Sequence, residues 1–428
     1  MASPARLAAL EVLQRVARGR PASQALEPAA SRLPDARDRA LLHELVLGTL
    51  RRRGWLDHVI GRLSDRAFET LSPATREALR LGAYQLLYLR VAPHAAVSES
   101  VELARSAEPR AAGFVNAVLR RLQREGPGAE PDPAQDPLGW MTTAGSLPRW
   151  LAERWHQRLG APGALARARD ALLAPPTFVR LNPRVPDAHE RLAAAGIALE
   201  PTGIPEAYRA SGGALAPFAE NGTAYLQDAG SQLVARLAAG DGWRLDACAA
   251  PGGKALLMAD LGGAAARVVA ADASRTRLAV LTRLAARWGA TRLLPLAADA
   301  LRPPFRNGFA GVLLDAPCSG LGTLAANPDI RWRVTAAELD RHAARQRAML
   351  ASLAPLVRPG GRLVYATCSL EPEETHQVVD SFLAGNPRFT QDELPEWAQA
   401  FASRGRVELD PARREGDGFF AVRLRRIG

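Results

Sequence analysis

The sequence predicts an α/β protein whose carboxyl-terminal half is a mostly parallel, doubly wound sheet, preceded by an all-α domain and a small α+β module. Three observations carry this. Apolar residues recur at helical spacing through residue 126, a Pro/Gly-rich stretch follows, and from about Gly230 short apolar runs alternate with amphipathic segments. That alternation is the mark of parallel strands joined by crossover helices. At 428 residues the chain exceeds what one ordinary core serves, so two or three domains are expected.

Residues 1–126 read as helices throughout. The first stripe, over 6–18, carries Leu7, Leu10, Leu13 and Val16, and similar stripes cover 39–50, 54–63, 73–89, 97–106 and 111–124. Links such as Ser72-Pro73 and Ala92-Pro93-His94 are short, which implies a bundle. Arginines cluster at Arg51-Arg52-Arg53 and at Arg120, Arg121 and Arg124. They form either a solvated helix face or a phosphate-contacting surface. The stretch from Gly126 to Pro137 is rich in Pro, Gly and acid, and residues 127–146 are expected to be a linker.

Residues 147–229 predict the α+β module, with helices over 147–159, 164–173 and 188–195 and strands over 177–181, 197–200 and 223–227. Residues 230–428 then give strands at 245–248, 267–271, 293–297, 311–314 and 362–366. Helices are expected at 254–261, 275–288, 336–356 and 373–384, and a last strand over 419–425.

Net charge is +11, which favours a polyanionic partner such as RNA unless it reflects arginine spread over solvated faces. Of the 55 basic residues, 54 are arginine and one, Lys254, is lysine. It directly follows Pro-Gly-Gly, and a compact ammonium is not interchangeable with a guanidinium in a tight site. The three cysteines, Cys248, Cys318 and Cys368, are far apart and odd in number, and none shares metal-ligand spacing with a histidine. No disulfide framework and no metal site is expected. No apolar stretch suffices to span a membrane and no signal-peptide pattern stands at the start, so a cytoplasmic location is expected; the protein is also expected to be a monomer.

The chemistry concentrates at predicted strand ends. Cys248-Ala249-Ala250-Pro251-Gly252-Gly253-Lys254 links the first strand of the sheet to a helix start. Such a turn is an ordinary connection or, more sharply, a cradle where a ligand meets backbone and helix N–H donors. Asp272 ends the second strand, placed to accept ribose hydroxyls. The G-x-G-x-x-G fingerprint for a pyrophosphate is absent, so S-adenosylmethionine fits better than a nicotinamide dinucleotide. Asp299, after the third strand, either reaches an adenine amino group or caps a turn. The fourth strand ends in Asp315-Ala-Pro-Cys318 and the fifth in Tyr365-Ala-Thr-Cys368. Parallel neighbours would deliver both thiols to one sheet edge, about 4.8 Å apart strand to strand. Two thiols beside an acid and a methyl donor suit methylation at cytosine C5. One thiol adds to C6, Asp315 faces N3, and the other thiol removes the C5 proton. The residues alone leave open which cysteine attacks.

These blocks resemble the RNA cytosine-C5 methyltransferases of the Nop/Sun family. The resemblance rests on Asp246-Ala-Cys-Ala-Ala-Pro-Gly-Gly-Lys254, Asp315-Ala-Pro-Cys-Ser-Gly320 and Tyr365-Ala-Thr-Cys-Ser369, with Gln227–Gln232 and Glu415–Phe420 as flanking blocks. It implies a Rossmann-like class I methyltransferase fold, Cys368 as nucleophile and Cys318 as the residue assisting product release. The cofactor loop (Cys248, Ala249, Ala250, Pro251, Gly252, Gly253, Lys254) with Asp272, Asp299 and Asp315 would hold S-adenosylmethionine. One departure is Ala255, where the family usually has Thr. Tyr84-Gln-Leu-Leu-Tyr88, Pro93-His-Ala-Ala-Val97 and Phe114-Val-Asn-Ala-Val-Leu-Arg120 are similar to the NusB-like helical domain of a small-subunit rRNA subgroup. The middle module then corresponds to that subgroup's RRM-like insertion, and Asn327–Arg333 to its loop. The resemblance implies a cytosine of 16S rRNA, at rRNA position 967, in unassembled or early small-subunit rRNA. A tRNA cytosine-C5 methyltransferase and an inactive NusB-like RNA-binding factor are the alternatives.

Overall fold

The strand pattern predicted after Gly230 is realised as one twisted, mainly parallel sheet. The computed structural model describes residues 2–306 and 308–428. Four strands come first: β1 (Thr177–Leu181), β2 (Ile197–Pro201), β3 (Tyr208–Gly212) and β4 (Ala224–Leu226). They form a separate antiparallel sheet in the order β2-β3-β1-β4. The large sheet uses β5 (Trp243–Asp246), β6 (Arg267–Asp272), β7 (Leu293–Ala297), β8 (Phe309–Asp315) and β9 (Val357–Thr367), followed by β10 (Phe389–Gln391), β11 (Ala402–Ser403), β12 (Arg406–Leu409) and β13 (Phe419–Arg426). Its order is β7-β6-β5-β8-β9-β13-β12-β11, with β10 also on β13. Strands β5 to β9 pair in parallel and β13 runs antiparallel against β9. The chain winds outward from β5 first to β6 and β7, then to β8 and β9, so the switch point lies at β5 and β8. Ligands of doubly wound sheets bind outside the carboxyl edge at such a point.

Two apolar layers cover the sheet. One face packs Leu233, Leu256, Leu281 and Trp288 from flanking helices; the other packs Leu350, Leu353, Val378 and Phe382. β6 and β8 are buried along nearly their whole lengths, as central parallel strands must be. β7, at the edge, exposes Leu294 and Leu296.

The molecule divides into two units, one holding residues up to Ala174 plus Leu324–Thr335, the other Pro175–Thr323 and Ala336–Gly428. This differs from the expected organisation in two ways. The helices Pro137–Thr142 and Arg149–Asp170, expected in the linker and the middle module, cluster with the amino-terminal helices. Their Trp140, Met141, Leu151 and Trp155 are buried. The strand module joins the large sheet instead. Arg180 on β1 pairs with Asp260 on the helix Gly253–Leu261 at 2.8 Å and stacks on Trp288 at 4.4 Å. β3 was not expected, because Tyr-Arg-Ala-Ser-Gly lacks apolar alternation.

The second difference is the segment 324–335, which leaves the sheet unit and lies in the helical one. Arg331 is fully buried, its guanidinium donating to the carbonyls of Ser146 (3.3 Å), Ala171 (2.7 Å) and Leu324 (3.2 Å). Burial, then Arg51 and Arg52, push Arg331 down to about 9, still protonated at neutral pH. Trp332 Nε1 donates to Leu50 O at 2.9 Å, and the Arg53 guanidinium lies 5.0 Å over its ring. Arg51 donates to Ala325 O at 2.9 Å. Arg51 and Arg53 therefore hold this segment, whereas Arg120 and Arg124 remain on an exposed face. No helix of the described residues is long and apolar enough to cross a membrane.

Replacing Arg331 with Ala leaves three buried carbonyls unpaired. Arg331→Ala should destabilise the helical unit by about 3 kcal/mol, read as a lower denaturant midpoint. An unchanged midpoint would show that the segment is only loosely held.

Candidate active site

The site is built on the carboxyl edge of β5, β6, β8 and β9. After β5 the chain is stitched to both neighbours: Ala247 N–H donates to Leu313 O (2.9 Å) and Ala249 N–H to Ala271 O (2.8 Å). Gly252 has φ +120°, and a Cβ there would stand 2.8 Å from the Leu281 side chain. Position 252 thus requires Gly, and it turns the chain into the helix Gly253–Leu261. A cavity of about 210 Å³ opens beside this turn, lined by Cys248, Ala249, Ala250, Pro251, Gly253 and Lys254 of the loop, by Tyr225, Asp228 and Ser231, and by Asp246 and Asp315.

Asp272, at the end of β6, is buried and accepts from Ala250 N–H (3.2 Å) and Ser274 N–H (2.9 Å), so it is joined to the loop. Asp299 stands exposed after β7 and accepts from Leu301 N–H at 3.0 Å, capping its own turn; it is not among the residues lining the cavity. Cys248 packs toward the core face of the sheet. Burial pushes its thiol up to about 12, with Asp246, Asp315 and Asp272 adding to the effect. It is thus a protonated wall of the cavity.

Asp246 opens the Asp246–Lys254 block, and in the sequence it looks like an ordinary strand terminus. It is fully buried; Oδ1 accepts from Cys248 N–H at 3.3 Å, and Oδ2 has no partner among the described residues. Burial, then the neighbouring Asp315, pushes its carboxyl up to about 7. An unpaired buried carboxylate oxygen on a cavity wall suits a cationic group.

Lys254 Nζ lies 2.7 Å from Asp315 Oδ2, donates to Ser231 Oγ at 3.0 Å, and sits 5.4 Å above the Phe419 ring. Burial opposes its charge, but Asp315, with Asp246 and Cys368 beyond it, outweighs burial and holds the ammonium above its usual value. The lysine therefore holds Asp315.

Asp315 on β8 lies opposite Ala366 on β9, so Cys318 and Cys368 leave the same edge three and two residues later. Their sulfurs are 3.1 Å apart. Contact with Cys368, then burial and the charges of Glu374 and Asp315, hold the Cys318 thiol well above its usual value. Glu374, fully buried, fixes the loop after Cys318, accepting from Ser319 N–H at 2.8 Å and from Ser319 Oγ. Gly322 N–H donates to Cys368 O (3.0 Å), and Gly418 N–H to Gly322 O (2.7 Å). Asp228, at a helix start, accepts from Gly230 N–H and Asp417 N–H at 2.7 and 2.8 Å. Ser231, Glu374, Asp417 and Phe419 had no assigned role in the sequence; the two flanking blocks were the signal for all but Glu374. No group of three or more His, Cys, Asp or Glu among the described residues is placed to hold a metal ion.

A doubly wound sheet with this glycine turn, an acid ending β6 and two thiols at one edge suits group transfer from a bound cofactor with thiol chemistry at the carboxyl edge. A family model described as 16S rRNA methyltransferase RsmB/F matches residues 236–425, and a NusB family model matches 3–124. The ribosomal RNA small subunit methyltransferase B of Pseudomonas putida is 35% identical over 99% of this chain and 98% of its own length. That of Klebsiella pneumoniae (strain 342) is 34% identical over 98% and 97%. Among solved structures, PH0851 aligns over 99% of both chains with TM-score 0.82 and 25% identity. NSun6 from Pyrococcus horikoshii shares the fold over 66% of this chain and 98% of its own, at TM-score 0.59 and 20% identity. The chain belongs to the 16S rRNA methyltransferase RsmB/F family.

The Asp246 environment predicts a pH dependence. A carboxyl raised in the folded state contributes stability that is present below its ordinary value near 4 and lost as pH rises through about 7. Asp246→Asn should therefore gain stability over the parent on going from pH 5 to pH 8. The gain should be on the order of 2 kcal/mol in thermal melts without cofactor. Equal differences at both pH values would sink the assignment.

Proposed function

We propose that this chain methylates C5 of a cytosine in 16S rRNA, at rRNA position 967, with S-adenosylmethionine as donor and a transient bond between Cys368 and cytosine C6. The observation that carries this is the thiol pair 3.1 Å apart beside the Lys254–Asp315 ion pair.

Each residue has a chemical task. Cys368 adds to C6 as a thiolate, with the Cys318 sulfur 3.1 Å away. Asp315 faces the N3 edge, which takes up a proton as Cys368 adds and gives it back as Cys368 leaves, and the Asp315 charge stabilises the protonated base. C5 becomes enamine-like and is methylated. Cys318 then takes the C5 proton, and the electron pair left at C5 re-forms the double bond and expels Cys368. The main cause of the raised Cys318 value is its contact with Cys368, and that cause disappears once Cys368 is bonded to C6. Burial and the charges of Glu374 and Asp315 remain.

The cavity fits the donor. The unpaired Asp246 oxygen, on the cavity wall with the loop from Cys248 to Lys254, suits its ammonium. Asp272, joined to that loop through Ala250 N–H, is assigned to its ribose hydroxyls, and Asp299, exposed outside the cavity lining, to its adenine amino group. When bound there, S-adenosylmethionine supplies an electrophilic methyl group. The full-length relatives named for small-subunit rRNA, the NusB match and the net charge of +11 support unassembled or early 16S rRNA as partner. The same full-length likeness weighs against a tRNA substrate, and both thiols weigh against an inactive binding factor. We read the protein as a cytoplasmic monomer.

Cys318→Ala should still attack but release slowly, so a covalent protein–RNA adduct should accumulate on denaturing gels while turnover falls roughly 10²–10⁴-fold. Cys368→Ala should form no adduct. The opposite pattern would reverse the two roles. Separately, Asp272→Ala should weaken S-adenosylmethionine binding about tenfold or more in calorimetry, with rRNA-fragment affinity nearly unchanged. Equal losses in both would refute its role toward the ribose. The target itself is tested by mapping 5-methylcytosine in 16S rRNA from cells lacking this protein.

A further inference from the structure

The Lys254 ammonium is held from three sides. Asp315 on β8 takes one N–H at 2.7 Å and Ser231, in the first turn of the helix Ala229–Ala238, takes a second at 3.0 Å. The face of Phe419, the first residue of β13, lies beneath at 5.4 Å. Ring and hydroxyl are themselves fixed. Phe419 is buried, and a Cβ at Gly230 would stand 2.5 Å from its ring, so helix and ring fit only because position 230 is glycine. Asp228 caps that helix and at the same time accepts from Asp417 N–H at 2.8 Å, tying the helix start to the loop that delivers Phe419. Two residues that no role yet explains thus converge on the only lysine of the chain.

We propose that Ser231 and Phe419 are positioning residues for Lys254: they hold its ammonium against Asp315, opposite the strand that leads to Cys368, so that its charge serves the sulfur of Cys368. The inference rests on the reading of Cys368 as nucleophile. Ser231 fixes the direction of Nζ, since a hydroxyl oxygen accepts along its lone pairs. Phe419 favours a cation over its face and excludes water from beneath it. Without them a four-carbon stem has the freedom to swing the ammonium into the cavity. Cys368 packs against the apolar cluster that contains Phe419. The titratable groups that act electrostatically on this ammonium, or it on them, are Asp315, Asp246, Asp228, Tyr225 and Cys368, and Cys318 lies 3.1 Å from Cys368. Cys368 is the reacting one among them.

The test reads the thiol directly and needs no turnover. In the full-length chain carrying Cys248→Ala and Cys318→Ala, the rate of Cys368 alkylation by iodoacetamide is followed against pH. Ser231→Ala and Phe419→Leu should each raise the midpoint by about half a unit, roughly threefold slower alkylation at neutral pH. Ser231→Thr, which keeps the hydroxyl, should restore the parent profile, and Lys254→Met should shift it further than either. Thermal melts accompany each variant; Ser231 is half-buried and its variants should melt with the parent, so they carry the test should Phe419→Leu fold poorly. A midpoint unmoved in Ser231→Ala overturns the inference whatever Lys254→Met does. Failure of the underlying reading is separate: the unsubstituted chain would then methylate no rRNA fragment, or its Cys368→Ala variant would still form the adduct.

Discussion

The parallel ladder between β8 and β9 sets every distance that matters to the chemistry. Backbone hydrogen bonds place Asp315 opposite Ala366 and continue one step beyond the strands, from Ala316 N–H to Ala366 O at 2.8 Å. Neighbouring strands sit about 4.8 Å apart whatever their side chains. Two loops leaving adjacent strands within three residues of that register therefore have little freedom to separate. A slip of one residue would turn Asp315 and the partners of Cys368 to the opposite face of the sheet. Buried Glu374 and the Gly322–Gly418 contact then remove what freedom remains.

Much of this was legible in the sequence. Strand ends were marked by Asp272, Asp315 and Thr367 following apolar runs, and the doubly wound order follows from the alternation alone. Once the fourth and fifth strands are taken as parallel neighbours, the meeting of Cys318 and Cys368 follows as well. The contacts made by residues distant in sequence were not legible. Lys254 meets Ser231, twenty-three positions earlier, and Phe419, on an antiparallel strand near the end of the chain. No local pattern reports that β13 lies beside β9. Asp246 escaped notice for another reason: an acid ending a buried strand looks like any strand terminus until its second oxygen proves unpaired. Short strands β10 to β12 carry too few residues for any period to show.

The charge balance reads differently with the fold in hand. A net charge of +11 invites the picture of a basic surface. Yet Arg80, Arg180, Arg244 and Arg331 are all buried, bonded to carboxylates or to backbone carbonyls. The five donors of a guanidinium let one side chain satisfy several orphan carbonyls at once. Some of the arginine thus works as internal scaffolding, and the charge offered to RNA is smaller than the total suggests.

The excursion of 324–335 bears on how this protein can be divided. Its helical unit is assembled from two stretches of chain, the second encoded inside the catalytic sheet's own sequence between Thr323 and Ala336. A fragment ended at Ala174 would lack Arg331 and Trp332 and would leave the carbonyls of Ser146, Ala171 and Leu50 without their donors. A cut at Ala174 therefore removes hydrogen-bond donors from the amino-terminal unit, even though a family model spans 3–124 as a contiguous piece. Exchange of this domain between relatives would have to carry the distant loop with it, so the two parts of the chain are constrained to change together.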